Sequence, residues 1–433
     1  MKDLIKKIII LKLDLLAKLY LRRFKPTIIA VTGNVGKTST KEAIAAVLGS
    51  VKRIRFGKGN LNNEFGVPLV IVGNWTDDYY EGNNTLWFWT RVLFVSFFGW
   101  FFERNYPEIL ILEFGADKPG DIKKLAQRFR PNIGVVTAIG EVPVHVEFFS
   151  GPEALAKEKS RLPEALKPGG HAILNSDEDV ISDMKNKTKA KITTFGFNEE
   201  ADVKISNFNF KTEGDMPIGV SFKLHYGLNS FVPVDIKGSL GKSQAYAAAA
   251  AAAVGIAMGM NLVEISDALS YYEGPKGRLR ILAGIKHSWL IDDTYNASPA
   301  STHLALGVLR ELSAKRRIAV LGDMLELGKY TIEAHRVAGN LAGRFVDILV
   351  CVGSRAKFIA DAAGNQMPAE NIYTFETSDE AKKKVQELIK EGDLVLIKGS
   401  QGMRMEKIVE EIMAEPEKKK ELLVRQSKKW LTK

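Results

Sequence analysis

The stretch "VTGNVGKTSTKEAI", Val31–Ile44, decides the fold class. It overlaps the apolar run "TIIAVT", Thr27–Thr32, and reads as the end of a buried strand, a glycine turn and the start of a helix. Gly33 and Gly36 let the backbone turn tightly, so that N–H groups between Gly33 and Ser39, those of Asn34 and Val35 included, can aim at phosphate oxygens. The helix start adds its positive dipole end. Lys37 can reach terminal phosphates and the Thr38 hydroxyl can ligate Mg²⁺. Two residues separate the glycines here, where the usual long loop has four. Such a loop serves switches, kinases, motors and ligases alike, so the stretch establishes nucleotide binding and leaves the chemistry open.

Working outward, further apolar runs read as buried strands: "EILILEF" (108–114) and "NIGVVTAI" (132–139). Helical stretches near 119–128 and 152–166 alternate with them. This pattern predicts an α/β domain, a mostly parallel sheet with helices on both faces. Between 201 and 237 the pattern shifts to short alternating runs such as "GVSFKLHY", which predict an antiparallel flap or side sheet. The alanine-rich "GKSQAYAAAAAAAVGIAMGM" (241–260) predicts a tightly packed buried helix. "YEGPKGR" (272–278) is the best linker candidate. Beyond it, "RRIAVLG", "DILVCVG", "NIYTF" and "DLVLIKG" alternate with helices and predict a second, Rossmann-like α/β unit. The expected organisation is a basic amphipathic helix over 1–25, a central nucleotide-binding domain over 26–275 with an apolar insertion at 85–103, a C-terminal domain over 276–415 and a basic tail over 416–433.

Composition narrows the partners. A 45% hydrophobic and 26% charged chain excludes global disorder. The single cysteine, Cys351, excludes an intramolecular disulfide and fits a reducing, cytoplasmic compartment. Its apolar setting reads as a buried small hydrophobe rather than a nucleophile. The net charge of +10 gathers toward the two ends of the chain. With no RNA-reading motif and no interleaved basic–aromatic platform, nucleic acid is set aside in favour of an anionic substrate and a membrane surface. Residues 4–21 carry apolar pairs at helical spacing with lysines between, which suits a membrane interface or packing on the chain's own core. "TLWFWTRVLFVSFFGWFFE" (85–103) is apolar nearly all round, short for a span and interrupted by Arg91. It reads as an interfacial helix or re-entrant hairpin, or else as a buried core helix. Peripheral contact with the inner face of the membrane through 1–25 and 85–103 is the expectation.

Glu113 ends an apolar strand, where a charge is costly unless a cation faces it. Strand C-termini beside a phosphate loop are where doubly wound sheets bind ligand. Glu113 is therefore read as a Mg²⁺ ligand, the plain alternative being a helix-capping carboxylate.

The short loop preceded by Thr32 resembles that of the Mur ligases and folylpolyglutamate synthases. Five further strings resemble Mur ligase motifs, in particular those of the branch that joins D-alanyl-D-alanine to a muramoyl tripeptide. They are "GNLNNEFGVPL" (59–69), "LEFGADKPGDI" (112–122), "DDTYNASP" (292–299), "VLGDMLELG" (320–328) and "KGSQGMRMEKIV" (398–409), and the resemblance runs from about Pro26 to Ala414. It implies an ATP-dependent amide-bond ligase using two Mg²⁺ ions, an anionic muramoyl-peptide-like acceptor and a dipeptide amine. It implies that Asn60, Asn62 and Asn63 belong to the substrate loop, that His145 is a further metal-site residue, and that Lys159 carries a carbamate bridging to the second metal. Without the resemblance, Lys157 and Lys159 would read as a solvated helix face. By the same resemblance Arg278 contacts phosphate, and Asp293 and Asn296 contact ribose and base. Asp323, Glu326, Lys398, Ser400 and Arg404 form the amine pocket. Catalysis would fall to Lys37, His145, Lys159 and Arg278.

Two departures stand out. The relatives begin with a separate domain that grips the acceptor's uridine nucleotide, whereas here the basic helix of 1–25 precedes the nucleotide domain. A partner, the remaining domains or a different, lipid-linked acceptor would have to take over. At "GKSQAYAAAA" the relatives carry an adenine-contacting Asn where Ala247 stands, leaving Gln244 as a stand-in. Two other readings remain open: a related ligase with another acceptor, and a membrane-associated nucleotide-binding scaffold.

Overall fold

In a computed structural model the described residues are 2–59, 61–81, 85–140, 146–214, 216–227 and 230–431. A first sheet takes nine strands: β1 (Thr27–Thr32), β2 (Ile54–Phe56), β3 (Ile109–Glu113), β4 (Ile133–Val136), β5 (His171–Asn175), β6 (Lys191–Gly196), β7 (Val203–Glu213), β8 (Met216–Tyr226) and β9 (Phe231–Lys237). Their spatial order is β2-β3-β1-β4-β5-β6-β7-β8-β9. Pairing is parallel as far as β7, then antiparallel through β8 and β9. The 201–237 region is thus not a detached flap. Phe195 and Gly196 pair with Val203 and Lys204, which joins the meander edge-on to the main sheet.

Helices cover both faces. They are α1 (Lys2–Phe24), α2 (Lys37–Gly49), α3 (Gly66–Val72), α4 (Thr76–Tyr80), α5 (Leu86–Phe102), α6 (Asp121–Phe129), α7 (Pro152–Glu164), α8 (Asp179–Ser182), α9 (Lys242–Ala257) and α10 (Leu262–Leu269). Side chains alternate along a strand, so β1 sends Ile29 and Val31 to a core shared with α2 and α9, and Ile28 and Ala30 to a core shared with α1, α3 and α5. The alanine run of α9 is fully buried, and its small side chains let the helix approach the sheet and α2 closely. Residues 85–103 form one straight run of helix, α5, rather than a hairpin. One face of it is buried and the other exposed.

The second sheet holds β10 (Arg280–Ala283), β11 (Trp289–Asp293), β12 (Arg316–Gly322), β13 (Ile348–Val352), β14 (Ile372–Phe375) and β15 (Asp393–Lys398), in the order β10-β11-β15-β12-β13-β14. Only β10 runs antiparallel to its neighbour. Cys351 is buried in β13, and burial pushes its thiol pKa up, away from thiolate chemistry. The two sheets meet where Leu240 N–H donates to Leu279 O (2.8 Å) and Ile281 N–H to Gly238 O (3.1 Å).

Candidate active site

The phosphate loop leaves β1 at its C-terminal end. Gly33 has φ +142°, and a Cβ there would stand 2.0 Å from the Thr137 hydroxyl, so only glycine fits. Gly36 caps α2 at φ 85°, and no side chain caps the helix. The first amides of α2 have no intrahelical acceptor, which leaves Lys37, Thr38 and Ser39 N–H to face an anion. The amides of Asn34 and Val35 differ from expectation. Both donate to the Ala138 carbonyl, at 2.7 and 3.0 Å, and hold the loop against the strand end after β4.

Glu113 closes β3 and is 4% exposed. Its Oε2 lies 3.3 Å from the Thr38 hydroxyl and 3.3 Å from Lys41 Nζ, and its Oε1 accepts from Asn62 Nδ2 at 3.3 Å. Burial alone would push this carboxyl up. The Lys41 and Lys37 ammonium groups and the Asn62 amide prevail and hold it below the usual carboxylate range. It is ionised, and it is not a helix cap. Lys41 is the residue sequence reasoning missed: fully buried, it donates to Gly59 O at 2.8 Å as well as to Glu113. Its position one helical turn after Lys37 was the available signal.

Lys37 Nζ folds back on the Gly33 and Asn34 carbonyls, at 2.9 and 3.4 Å. Burial lowers its pKa, with Glu113 opposing. Lys159, on α7, is 2% exposed, so the solvated-face reading fails for it and holds for the exposed Lys157. Burial first, then Lys37, pushes its ammonium down to about 7. His145 and Asn60 lie outside the described residues. Asn63 accepts from Phe65 and Gly66 N–H at the start of α3, and so shapes the loop that carries Asn62.

From the second sheet, Arg278 lies over the Tyr295 ring at 4.2 Å, and its Nε finds no partner among the described residues. Facing the phosphate loop, it is placed for a phosphate. Asn296 and Ser400 line the same cleft, of about 610 Å³, as do Glu326 and Arg404. Four residues expected to contact ligand bond within the protein. Lys398 Nζ pairs with Asp293 at 2.6 Å and with Asn296 O at 2.9 Å, both side chains being buried. Asp323 accepts from Arg355 and Ala356 N–H, anchoring the turn after β13. Gln244 is sealed in: Tyr272 donates to its Oε1 at 3.0 Å, and its Nε2 donates to Arg278 O at 3.3 Å. It braces the Arg278 backbone and does not line the cleft.

The chain's end supplies a second missed group. Trp430 lines the cleft, with the Arg404 and Arg425 guanidinium groups 5.4 and 5.9 Å from its ring centroid. Arg425 donates to Tyr295 O at 3.0 Å and to Glu406 at 2.7 Å. Arg404 donates to Glu406 at 2.6 Å and to Trp430 O at 2.7 Å. The basic tail is thus folded onto the second unit, which composition alone does not reveal.

The donors suit a magnesium nucleotide. Mg²⁺ takes one or two carboxylates together with substrate phosphates and water. Among the described residues no three acidic, His or Cys side chains cluster, whereas Thr38 Oγ1 and Glu113 Oε2 stand at the separation of adjacent ligands in a small octahedron, about 3 Å. The cleft also falls in the volume range of small-ligand sites.

Residues 98–255 match the Mur ligase middle domain, and residues 277–401 match the Mur ligase, glutamate ligase domain. The UDP-N-acetylmuramoyl-tripeptide–D-alanyl-D-alanine ligase of Bacillus subtilis is 29% identical over 407 residues, covering 93% of this chain and 79% of the relative. A crystal structure of MurF from Acinetobacter baumannii superposes with a TM-score of 0.75 at 27% identity, over 92% of this chain and 79% of that one. The Thermotoga maritima MurF ligase in complex with ADP gives 0.76 at 25% identity, over 95% and 84%. Fold, cleft and likeness agree: this chain belongs to the Mur ligase family.

Proposed function

We propose that the chain is a cytoplasmic ATP-dependent ligase that joins D-alanyl-D-alanine to a muramoyl tripeptide in peptidoglycan precursor synthesis. One observation carries the reading. The Thr38 hydroxyl stands 3.3 Å from the buried, ionised Glu113, on the side of the cleft opposite Arg278. The names of the relatives support the choice of substrates.

ATP lies with its phosphates on the start of α2. The acceptor carboxylate attacks the γ-phosphorus, the bond to the β-phosphate oxygen breaks, and ADP leaves an acyl phosphate behind. The dipeptide amine then attacks the acyl carbonyl. The carbon–oxygen bond to phosphate breaks, inorganic phosphate leaves, and the amine loses its proton. Lys37 turns from the Gly33 carbonyl toward the transferred phosphoryl group, and Arg278 spreads charge on it from the other side. Mg²⁺ held by Thr38 and Glu113, with a second ion at His145 and a carbamate on Lys159, would neutralise the phosphate oxygens and orient the carboxylate. A Lys159 pKa of about 7 keeps much of the amine uncharged near neutrality, the form that adds CO₂. Asn62 and Asn296 serve the acceptor and nucleotide sides, and Glu326, Ser400 and Arg404 the amine. Closure of the two units over the cleft keeps water off the acyl phosphate.

The test is incubation with ATP, Mg²⁺, D-alanyl-D-alanine and muramoyl tripeptides, read by product mass and phosphate release. Phosphate should appear only when acceptor and amine are both present. Slow release without either would mark a switch or scaffold. A product formed on another acceptor would mark a different ligase of the same family.

A further inference from the structure

We infer that the exposed faces of α1 and α5 form a docking surface for an anionic lipid bilayer, independently of the ligase reading. The two helices run side by side in the same direction: Tyr20 donates to Ser96 O at 2.7 Å, and three residues on, Arg23 donates to Trp100 O. Both bury one stripe in the same core, Leu13, Leu16 and Tyr20 from α1 and Phe88 and Val92 from α5. Their other faces therefore look outward together.

That outward surface is unlike ordinary protein surface. On α5 it carries Leu86, Trp87, Phe94, Phe98, Phe101 and Phe102, with Trp87 74% and Phe102 77% exposed. On α1 it carries Ile8, Leu11 and Leu15, the last two 69% and 60% exposed. Contiguous apolar patches of this kind mark interaction sites. Charge selects the occupant. Lys7, Lys12, Lys18, Arg22 and Arg23 are exposed along α1 and border its apolar stripe, while Asp14 is turned inward onto Arg128 and Lys18. On α5 the exposed Arg91 pairs with Asp78 at 3.8 Å. An aromatic ridge beside a row of cations is the complement of acyl chains beneath anionic headgroups.

The surface lies on the membrane and does not cross it. Among the described residues no helix is long and apolar enough to span, and α5 at 17 residues reaches about 25 Å against a hydrocarbon core of about 30 Å. Its inner face is also occupied by protein. Beneath the surface, Phe65 lies 5.7 Å from the buried Trp89 ring and under Lys6 Nζ at 5.2 Å. Phe65 belongs to the loop whose Asn62 reaches Glu113.

The experiment is co-sedimentation of the full chain with vesicles of phosphatidylcholine alone or with phosphatidylglycerol added. The chain should pellet with the anionic vesicles and be released by salt of about 0.5 M. The exposed triple variant Trp87→Ser/Phe98→Ser/Phe102→Ser should lose about tenfold or more in partitioning, and Lys7→Glu/Lys12→Glu several-fold. Unchanged thermal unfolding would show that both variants are folded. A chain that stays in the supernatant with every vesicle overturns the inference, and so does equal binding with and without phosphatidylglycerol. It is likewise overturned if the triple variant abolishes self-association seen by light scattering while vesicle partitioning is unaltered, because the face then belongs to a second copy.

Discussion

The two walls of the cleft hold their charges differently. On the wall built from the first sheet, Lys37, Lys41, Glu113 and Lys159 are crowded into one buried neighbourhood, where Lys37 and Glu113 perturb each other and both act on Lys159. On the wall built from the second, most charges are paired off among themselves: Lys398 with Asp293, and Arg404 and Arg425 with Glu406. Arg278 lies over the Tyr295 ring, and its Nε has no partner among the described residues. A wall of mutually perturbed charges is poised to respond to a phosphate and a divalent cation. A wall of satisfied pairs is a rigid frame that presents a few groups. Substitutions on the first should therefore remove chemistry, and substitutions on the second should mostly remove stability.

The largest expected effects lie on the first wall. Lys37→Ala and Glu113→Gln should each lower ligase turnover by about a thousandfold or more, with the fold intact in Lys37→Ala, since each removes charge aimed at the transferred phosphoryl or its metal. Steady-state rates beside circular dichroism would check this. Glu113→Gln also strips Lys41 of its carboxylate partner. A Glu113→Gln enzyme that kept wild-type turnover would erase the contrast between the walls.

The second wall gives the converse. Asp293 and Lys398 are buried at 2.6 Å, and breaking such a pair strands a charge without solvent. Lys398→Met and Asp293→Asn should each destabilise folding by about 3 kcal/mol, measured by denaturant unfolding. The double variant should cost less than the two single losses added together. Additive losses would mean that the two groups act separately, and the framing role would fall.

The strand–turn–helix at Val31–Ile44, the β-runs at 108–114, 132–139 and from Arg316 onward, and the buried alanine helix were legible because each rests on local periodicity and apolar patterning. The facing of Glu113 on Thr38 was legible too, because a carboxylate at the tip of an apolar strand has few other uses. What escaped depends on contacts distant in sequence. The meander joins the main sheet through two residue pairs at the ends of β6 and β7, which no periodicity encodes. Asp323 and Gln244 look like binding residues in sequence, yet Asp323 Oδ1 accepts from the Arg355 and Ala356 amides and the Gln244 amide is engaged by Tyr272 and the Arg278 carbonyl. Lys41 reads as one more helix lysine until the strand tip beside it is placed.

A smaller, pH-dependent effect falls on Asp292, beside the paired Asp293. Asp292 is fully buried, its Oδ1 accepting from the Thr294 N–H and hydroxyl while Oδ2 has no partner among the described residues. Burial raises its pKa from 3.8 to about 6. A raised carboxyl favours the folded state fully below the unfolded value and loses that contribution as pH rises through the folded one. Asp292→Asn cannot ionise, so its stability relative to the parent should improve between about pH 4 and pH 7, by about 1–2 kcal/mol. Melting curves of both proteins across that range would show it. A parallel pH dependence would place the titration elsewhere.

The smallest expected effect falls on the rim, where the tail meets the frame. Trp430 sits against the Arg404 and Arg425 guanidinium groups, and its ring forms part of the cleft wall on the side proposed for the amine. Trp430→Ala should therefore raise the KM for D-alanyl-D-alanine about fivefold, with kcat and the KM for ATP nearly unchanged, since the ring stands beside Arg404 on the side proposed for the amine. It should also let bulkier dipeptides compete better, because a wall of one aromatic ring limits size more than charge. If ATP affinity fell as much as amine affinity, the tail would be bracing the whole second wall. Trp430 would then belong with the satisfied pairs of the frame, and the division between a responsive wall and a rigid one would extend to the last turn of the chain.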